Sequence, residues 1–292
     1  MSTAELAEAV PLLIPIAYFS ALAAEARWPA RHFPPRRGWR WVGLAFLVLV
    51  ATLGSALPLL LPLEWMAAQR WIDGTRLGVL GGTAVGWLVL SFVAFAYHRL
   101  SHAWSPLWRI SHQIHHSPQR VDVSGSVLFH PFEIVMQVLM QLFVTVIVLG
   151  LDPLAAALVG VVAAFNGIFQ HCNVRTPRWI GWFMQRPEAH CLHHERGVHA
   201  RNYADFPLWD MLFGSFHNPE RFEGACGFDS PADRRIGAML VWRDVNVPGY
   251  GRGSRGMAGT AQVSSTTGAV GSGPTWRSNL RNSSGGIGRP NR

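Results

Sequence analysis

The chain has 292 residues, 49% of them hydrophobic and only 14% charged. Soluble domains carry about 25% charged residues, so this composition points away from a large water-soluble core and toward a membrane protein. The formal charge of +8 does not imply nucleic acid, because all 25 basic residues are arginine and six of them follow Gly249 in a Gly/Ser-rich stretch with no acid. Cys172, Cys191 and Cys226 are odd in number and form no CxxC, which speaks against a disulfide framework.

Crossing about 30 Å of hydrocarbon takes about 20 mainly apolar residues. Residues 9–26 form a first such run, weakened by Pro11, Pro15 and Glu25. Its flank carries Glu5 and Glu8 and no basic residue, unlike a cleaved signal, so a retained helix is expected. Residues 41–63 and 77–97 form the second and third runs, and residues 134–170, broken by GLDP at 150–153, read as a hairpin of two helices. The loop between the first two runs holds Arg27, Arg31, Arg36, Arg37 and Arg40, with Trp28, Trp39 and Trp41 at its margins. By the positive-inside rule that loop is cytoplasmic. Counting spans from there puts all three clusters of histidines on the cytoplasmic side. Arginine-only basicity and Ala-rich runs suggest a bacterial source and hence the inner membrane.

The expected fold is therefore all-α: an integral membrane helical bundle of about four to five membrane-embedded helices under a cytoplasmic histidine-rich cap. Residues 1–97 are expected to form N-terminal transmembrane helices, 98–246 a catalytic region that includes the hairpin, and 247–292 a disordered basic tail too poor in apolar residues to fold.

Eight of the thirteen histidines fall in three short clusters: HRLSH at 98–102, HQIHH at 112–116 and HCLHH at 190–194. Residues three and four apart share a helix face. His98 and His102 are so spaced, as are His112, His115 and His116, and His190, His193 and His194, so each cluster is expected to aim its rings in one direction. Neutral imidazole is the commonest metal ligand among side chains, and eight exceed what one ion needs. Two ions are expected. The clusters lack both a cysteine ligand pair and the HExxH pattern of zinc proteases.

Taken together, HRLSH, WRISHQIHHS at 108–117, FHPFE at 129–133, FQHCN at 169–173, HCLHH and NYADFPLWDMLFGS at 202–215 resemble the fatty acid hydroxylase/sterol desaturase superfamily of membrane di-iron oxygenases. The resemblance covers roughly 98–216 and implies two irons, with dioxygen as co-substrate. The metal ligands it implies are His98, His102, His112, His115, His116, His190, His193 and His194, with His171 in FQHCN as a ninth. Some members carry a further histidine four residues before that ninth one; here the position is Gly167. His130, His199, Asn173 and Asp210 are candidates to support the ligands from behind, beside Asn166, Glu188 and Asp205.

What the resemblance implies for function is hydroxylation or desaturation of a C–H position in a lipid. The lipid is a sterol, a fatty acyl chain or a related isoprenoid, selected by the shape of an apolar pocket. The sequence shows no haem attachment site, dinucleotide fingerprint or iron–sulfur cysteines. Electrons are thus expected from a separate donor such as a ferredoxin, a cytochrome or a reductase. The competing reading is a membrane zinc hydrolase using a metal-bound water on a lipid. A metal transporter would place ionisable residues within the spans, and these runs are nearly free of them.

Overall fold

The computed structural model describes residues 2–198 and 200–246; His199 and the expected tail from 247 lie outside the described residues. Among the described residues every regular element is a helix, and the only β feature is an isolated antiparallel bridge between Glu195 and Cys226. Among the described residues five helices are long and apolar enough to cross a membrane: α1 Glu5–Arg27, α2 Trp39–Leu59, α3 Gly74–Ala103, α4 Pro131–Val148 and α5 Pro153–His171. In hydrocarbon a helix satisfies its own backbone hydrogen bonds, which is why such runs fold this way. Their exposed faces carry Ile16, Phe19, Val48 and Leu80, as a lipid-facing surface would.

The breaks follow local chemistry. Pro11 falls in a 3-10 turn, Val10–Leu12, so α1 passes through it and continues to Arg27. The apolar run to residue 63 outlasts α2, which stops at Leu59 ahead of Pro62, a residue that disfavours helix in the position before it. α3 runs on to Ala103, beyond the apolar stretch, and so carries His98 and His102 on its last turns. Between α4 and α5 the chain reverses at Gly150, whose φ of +52° suits glycine. Asp152 then caps α5, accepting from the Leu154 N–H at 2.8 Å, with Pro153 in the first turn.

Two contacts position the cap. Gly82 and Gly86 of α3 lie against Ala155 and Val159 of α5, and a Cβ on Gly86 would come within 2.7 Å of Val159. Small residues one turn apart let the backbones approach closely, and these two helices deliver His98, His102 and His171 at their C-terminal ends. Glu25, the acid that disturbs the first apolar run, accepts from the backbone N–H of Val123 (2.9 Å) and Asn173 (3.1 Å). It ties the end of α1 to the chain following HQIHH and to the chain following His171. The Arg-rich loop packs on that same end: Ala30 N–H donates to Asn173 O at 2.8 Å, and Asn173 Nδ2 donates to Arg31 O at 2.7 Å.

Candidate metal centre

The histidine segments come from four elements. His98 and His102 sit on α3 and His171 ends α5. His112 closes a π-turn, Trp108–His112, that runs into the helical turn Gln113–His116. His190 and His193 lie on the helix Pro187–His193, with His194 at its C-terminal cap. The hydrophobic cluster of Trp39, Ile114, Leu128, Phe228, Met239 and Val245 holds the Gln113–His116 turn from behind.

All nine expected ligands converge, in two groups whose ring nitrogens lie within 4.8 Å of one another. The first group is His98, His102, His112, His116 and His193; the second is His115, His171, His190 and His194. This corrects the expectation that each cluster aims in one direction. Only the i,i+4 pairs stay together: His98 with His102, His112 with His116, His190 with His194. The middle histidine of each HxxHH departs to the other group. Successive helical residues diverge by about 100°, so neighbours such as His115 and His116 cannot serve one ion from one turn. Each HxxHH segment therefore bridges both groups.

Within the groups Nε2 faces Nε2. In the first group His98 and His102 are 3.3 Å apart, His112 and His116 3.1 Å, and His116 and His193 3.1 Å. In the second, His115 and His171 are 3.2 Å apart, His171 and His190 3.1 Å, and His190 and His194 3.0 Å. The opposite nitrogens decide what these contacts are. Nδ1 of His98 faces Tyr203 O (2.6 Å), that of His171 Gly167 O (2.7 Å) and that of His193 Arg201 O (2.7 Å). Nδ1 of His112 faces Glu133 Oε1 (2.8 Å), and that of His190 faces Gln185 Oε1 (3.0 Å). A carbonyl or carboxylate oxygen only accepts, so these five Nδ1 atoms carry the proton. In the neutral rings of His171 and His190 the matching Nε2 atoms are bare lone pairs. His171 and His190 thus aim lone pairs at each other, an arrangement that repels unless a cation lies between them. Burial, with neighbouring imidazoles second, pushes His115, His116, His190 and His194 well below the ordinary imidazole pKa. The rings therefore stay neutral and cannot relieve the repulsion by protonation. The residues present fit two bound metal ions.

Aromatic rings wall the groups. Trp108 lies 5.3 Å from His102 and 5.4 Å from His116, and Tyr203 lies 5.4 Å from His102 and 5.7 Å from His193. Phe129 stacks on His115 at 4.8 Å.

The supporting candidates are distributed differently from expectation. His130 caps α4, its Nδ1 accepting from the Phe132 N–H, and Asn173 holds the Arg31 loop. Asp210 acts at one remove: it accepts from the N–H groups of Tyr203 (2.9 Å) and Ala204 (2.8 Å) and from Ser215 Oγ (2.7 Å), fixing the strand of backbone whose carbonyl anchors His98. Asn166 donates to Val162 O, Glu188 pairs with Arg186 and accepts from Thr176, and Asp205 accepts from Gln170. Sequence reasoning missed Glu133 and Gln185. Glu133 stood within FHPFE, a segment already singled out, but no spacing links it to His112. The Gly167 position that lacks a histidine serves through its carbonyl.

Residues 83–215 match the family model for fatty acid hydroxylase. Over that segment the chain resembles the fatty acid hydroxylase superfamily. The hydroxylase match spans all nine histidines together with Glu133, Gln185, Tyr203 and Asp210. Over 186 residues the chain is 34% identical to ornithine lipid hydroxylase OlsE of Rhizobium tropici, which covers 62% of this chain and 53% of that protein. The chain thus spans about half the length of the curated relative it matches. No solved structure matches.

Proposed function

We propose that this chain is a membrane-embedded di-iron lipid hydroxylase, with His98, His102, His112, His116 and His193 holding one ion and His115, His171, His190 and His194 the other. The observation that carries this reading is the convergence of nine imidazoles in two adjoining groups, with the Nε2 atoms of His171 and His190 facing each other 3.1 Å apart. Imidazole suits iron among other metals, and two irons held here would supply the activation of dioxygen. The net reaction consumes one dioxygen, two electrons and two protons, turns C–H into C–OH and releases water. Desaturation of the same position is the variant outcome. Electrons come from a separate ferredoxin, cytochrome or reductase.

The protein's part is to hold and exclude. The Nδ1 anchors fix each ring's tautomer and orientation. Trp108, Tyr203 and Phe129 keep the surroundings apolar, which suits a hydrocarbon chain. The name of the relative makes an ornithine lipid the first substrate to try; a sterol or free fatty acyl chain stands behind it. The Arg-rich loop and the histidine cap pack together at one end of the bundle, and the positive-inside rule assigns that end to the cytoplasmic face of a bacterial inner membrane. Neither histidine group includes a carboxylate among the described residues. This weighs against a zinc hydrolase, which would need a general base beside its water.

The test is metal content of protein purified anaerobically in detergent, beside a His115→Ala/His193→Ala double variant that removes one ligand from each group. About two irons per wild-type chain are expected, falling to one or fewer in the variant, which leaves the second group three imidazoles. Stoichiometric zinc without iron, after growth in excess iron, would replace the hydroxylase by the hydrolase. A wild-type chain that takes up no metal would end both. Lipid extracts from cells expressing the two proteins should then differ by a species one oxygen heavier.

A further inference from the structure

An open cavity of about 370 Å³ lies where α1 ends and α2 begins, and no histidine of either group lines it. Arg36 contributes from the loop before α2, Trp39, Arg40 and Trp41 from the start of α2, and Arg120 from the chain beyond His116. Two acids, Glu25 and Asp122, also line it, but both are engaged. Glu25 accepts from two backbone N–H groups. Asp122 accepts from Trp39 Nε1 at 2.9 Å and from the Gly125 N–H at 3.0 Å, and it pairs with the Arg120 guanidinium. Arg120 is thereby neutralised. Arg36 and Arg40 pair with no carboxylate among the described residues.

Arg36 is half-buried and lies 4.6 Å over the Trp39 ring. Its Nη1 is buried without a hydrogen-bond partner, and burial pushes its pKa down, with the nearby carboxylates of Asp233 and Asp122 acting against that fall. A guanidinium that keeps its charge while losing water is stabilised by an anion, best by one whose oxygens accept in pairs. Trp41 stands 76% exposed beside it. Arginine with exposed tryptophan at a helix end is the composition of a membrane–water boundary. The exposed apolar faces of α1 and α2, with Ile16, Phe19 and Val48, lead away from the cavity along the spans.

We propose that this cavity binds the anionic headgroup of a membrane lipid, a phosphate or a carboxylate, through Arg36 and Arg40, with the acyl chains lying along α1 and α2. The site stands independently of the hydroxylase reading, since it shares no ligand with the histidine groups.

The experiment is native mass spectrometry of the full-length protein in neutral detergent, titrated with phosphatidylglycerol or with phosphatidylcholine of matched chains. Wild type should retain one phosphatidylglycerol in preference to phosphatidylcholine. An Arg36→Gln/Arg40→Gln variant should lose about ten-fold in that affinity. An Arg36→Lys/Arg40→Lys variant keeps the charge and should recover most of it. Equal phosphatidylglycerol binding by wild type and the glutamine variant overturns the proposal, as does an absence of headgroup preference. Inorganic phosphate that binds as tightly as the lipid would overturn the lipid assignment in favour of a free anion. Should the glutamine variant fail to fold, wild type alone decides: its preference for phosphatidylglycerol must shrink as salt rises, and a flat response sinks the idea.

Discussion

The two histidine groups look alike in chemistry and differ in construction. The five-histidine group draws His98 and His102 from a spanning helix, and both rings are only partly buried; the other three are buried. In the four-histidine group every ring is buried. The groups also differ in their anchors: the first has the Glu133 carboxylate behind His112, whereas the second relies on neutral oxygens, Gly167 O and Gln185 Oε1. One centre therefore has a spare imidazole at an accessible rim and a negative charge behind it. The other is closed and has no ligand to lose.

That contrast breaks most sharply at the ligands themselves. His194→Ala should empty the four-histidine group and lower iron from about two to about one per chain, with hydroxylation abolished. His102→Ala, at the rim of the larger group, should leave iron close to the wild-type value. Equal metal loss in the two variants would mean that the groups do not differ in redundancy.

Next in size is Glu133→Gln. It keeps a hydrogen-bond acceptor for His112 Nδ1 and removes the charge. Losing such support costs about 10–100-fold in metal affinity. The loss should appear in competition with a chelator and fall on one iron only. An effect on both irons would show that the carboxylate serves the pair.

The smallest expected effect concerns Asp205, which accepts from Gln170, the neighbour of His171, at 2.8 Å. Burial raises its pKa to about 6, against about 3.9 in an unfolded chain. The folded state therefore holds this proton more tightly than the unfolded state, so the charged carboxylate destabilises the fold at neutral pH. Asp205→Asn should raise the unfolding midpoint at pH 7.5 by roughly 2–4 °C. The advantage over wild type should be complete above about pH 6 and vanish as pH falls toward about 4. A midpoint difference independent of pH would locate the effect in packing rather than in charge.

The sequence alone determined the long apolar helices and eight of the nine histidines that converge, because both rest on local periodicity. A run of apolar residues has to become a helix in hydrocarbon whatever surrounds it, and Asp152 with Pro153 marks the start of α5 without tertiary help. Imidazoles repeated at three- and four-residue intervals announce metal, and FQHCN added His171 by resemblance. Local spacing could not allot the ligands to ions. On a helical wheel three and four residues apart look equivalent, yet here four keeps a pair together and three separates it. Where four segments meet, the approach of the neighbouring rings decides which way a histidine turns. Nor could sequence find Glu133, Gln185 or the carbonyls of Gly167, Arg201 and Tyr203. Those partners are set by which backbone or side-chain oxygen the packing of α3 on α5, and of the cap above them, brings behind each ring. Glu25 shows the same division: read along the chain it is a flaw in an apolar run, and only the folded cap reveals the two backbone N–H groups that it satisfies.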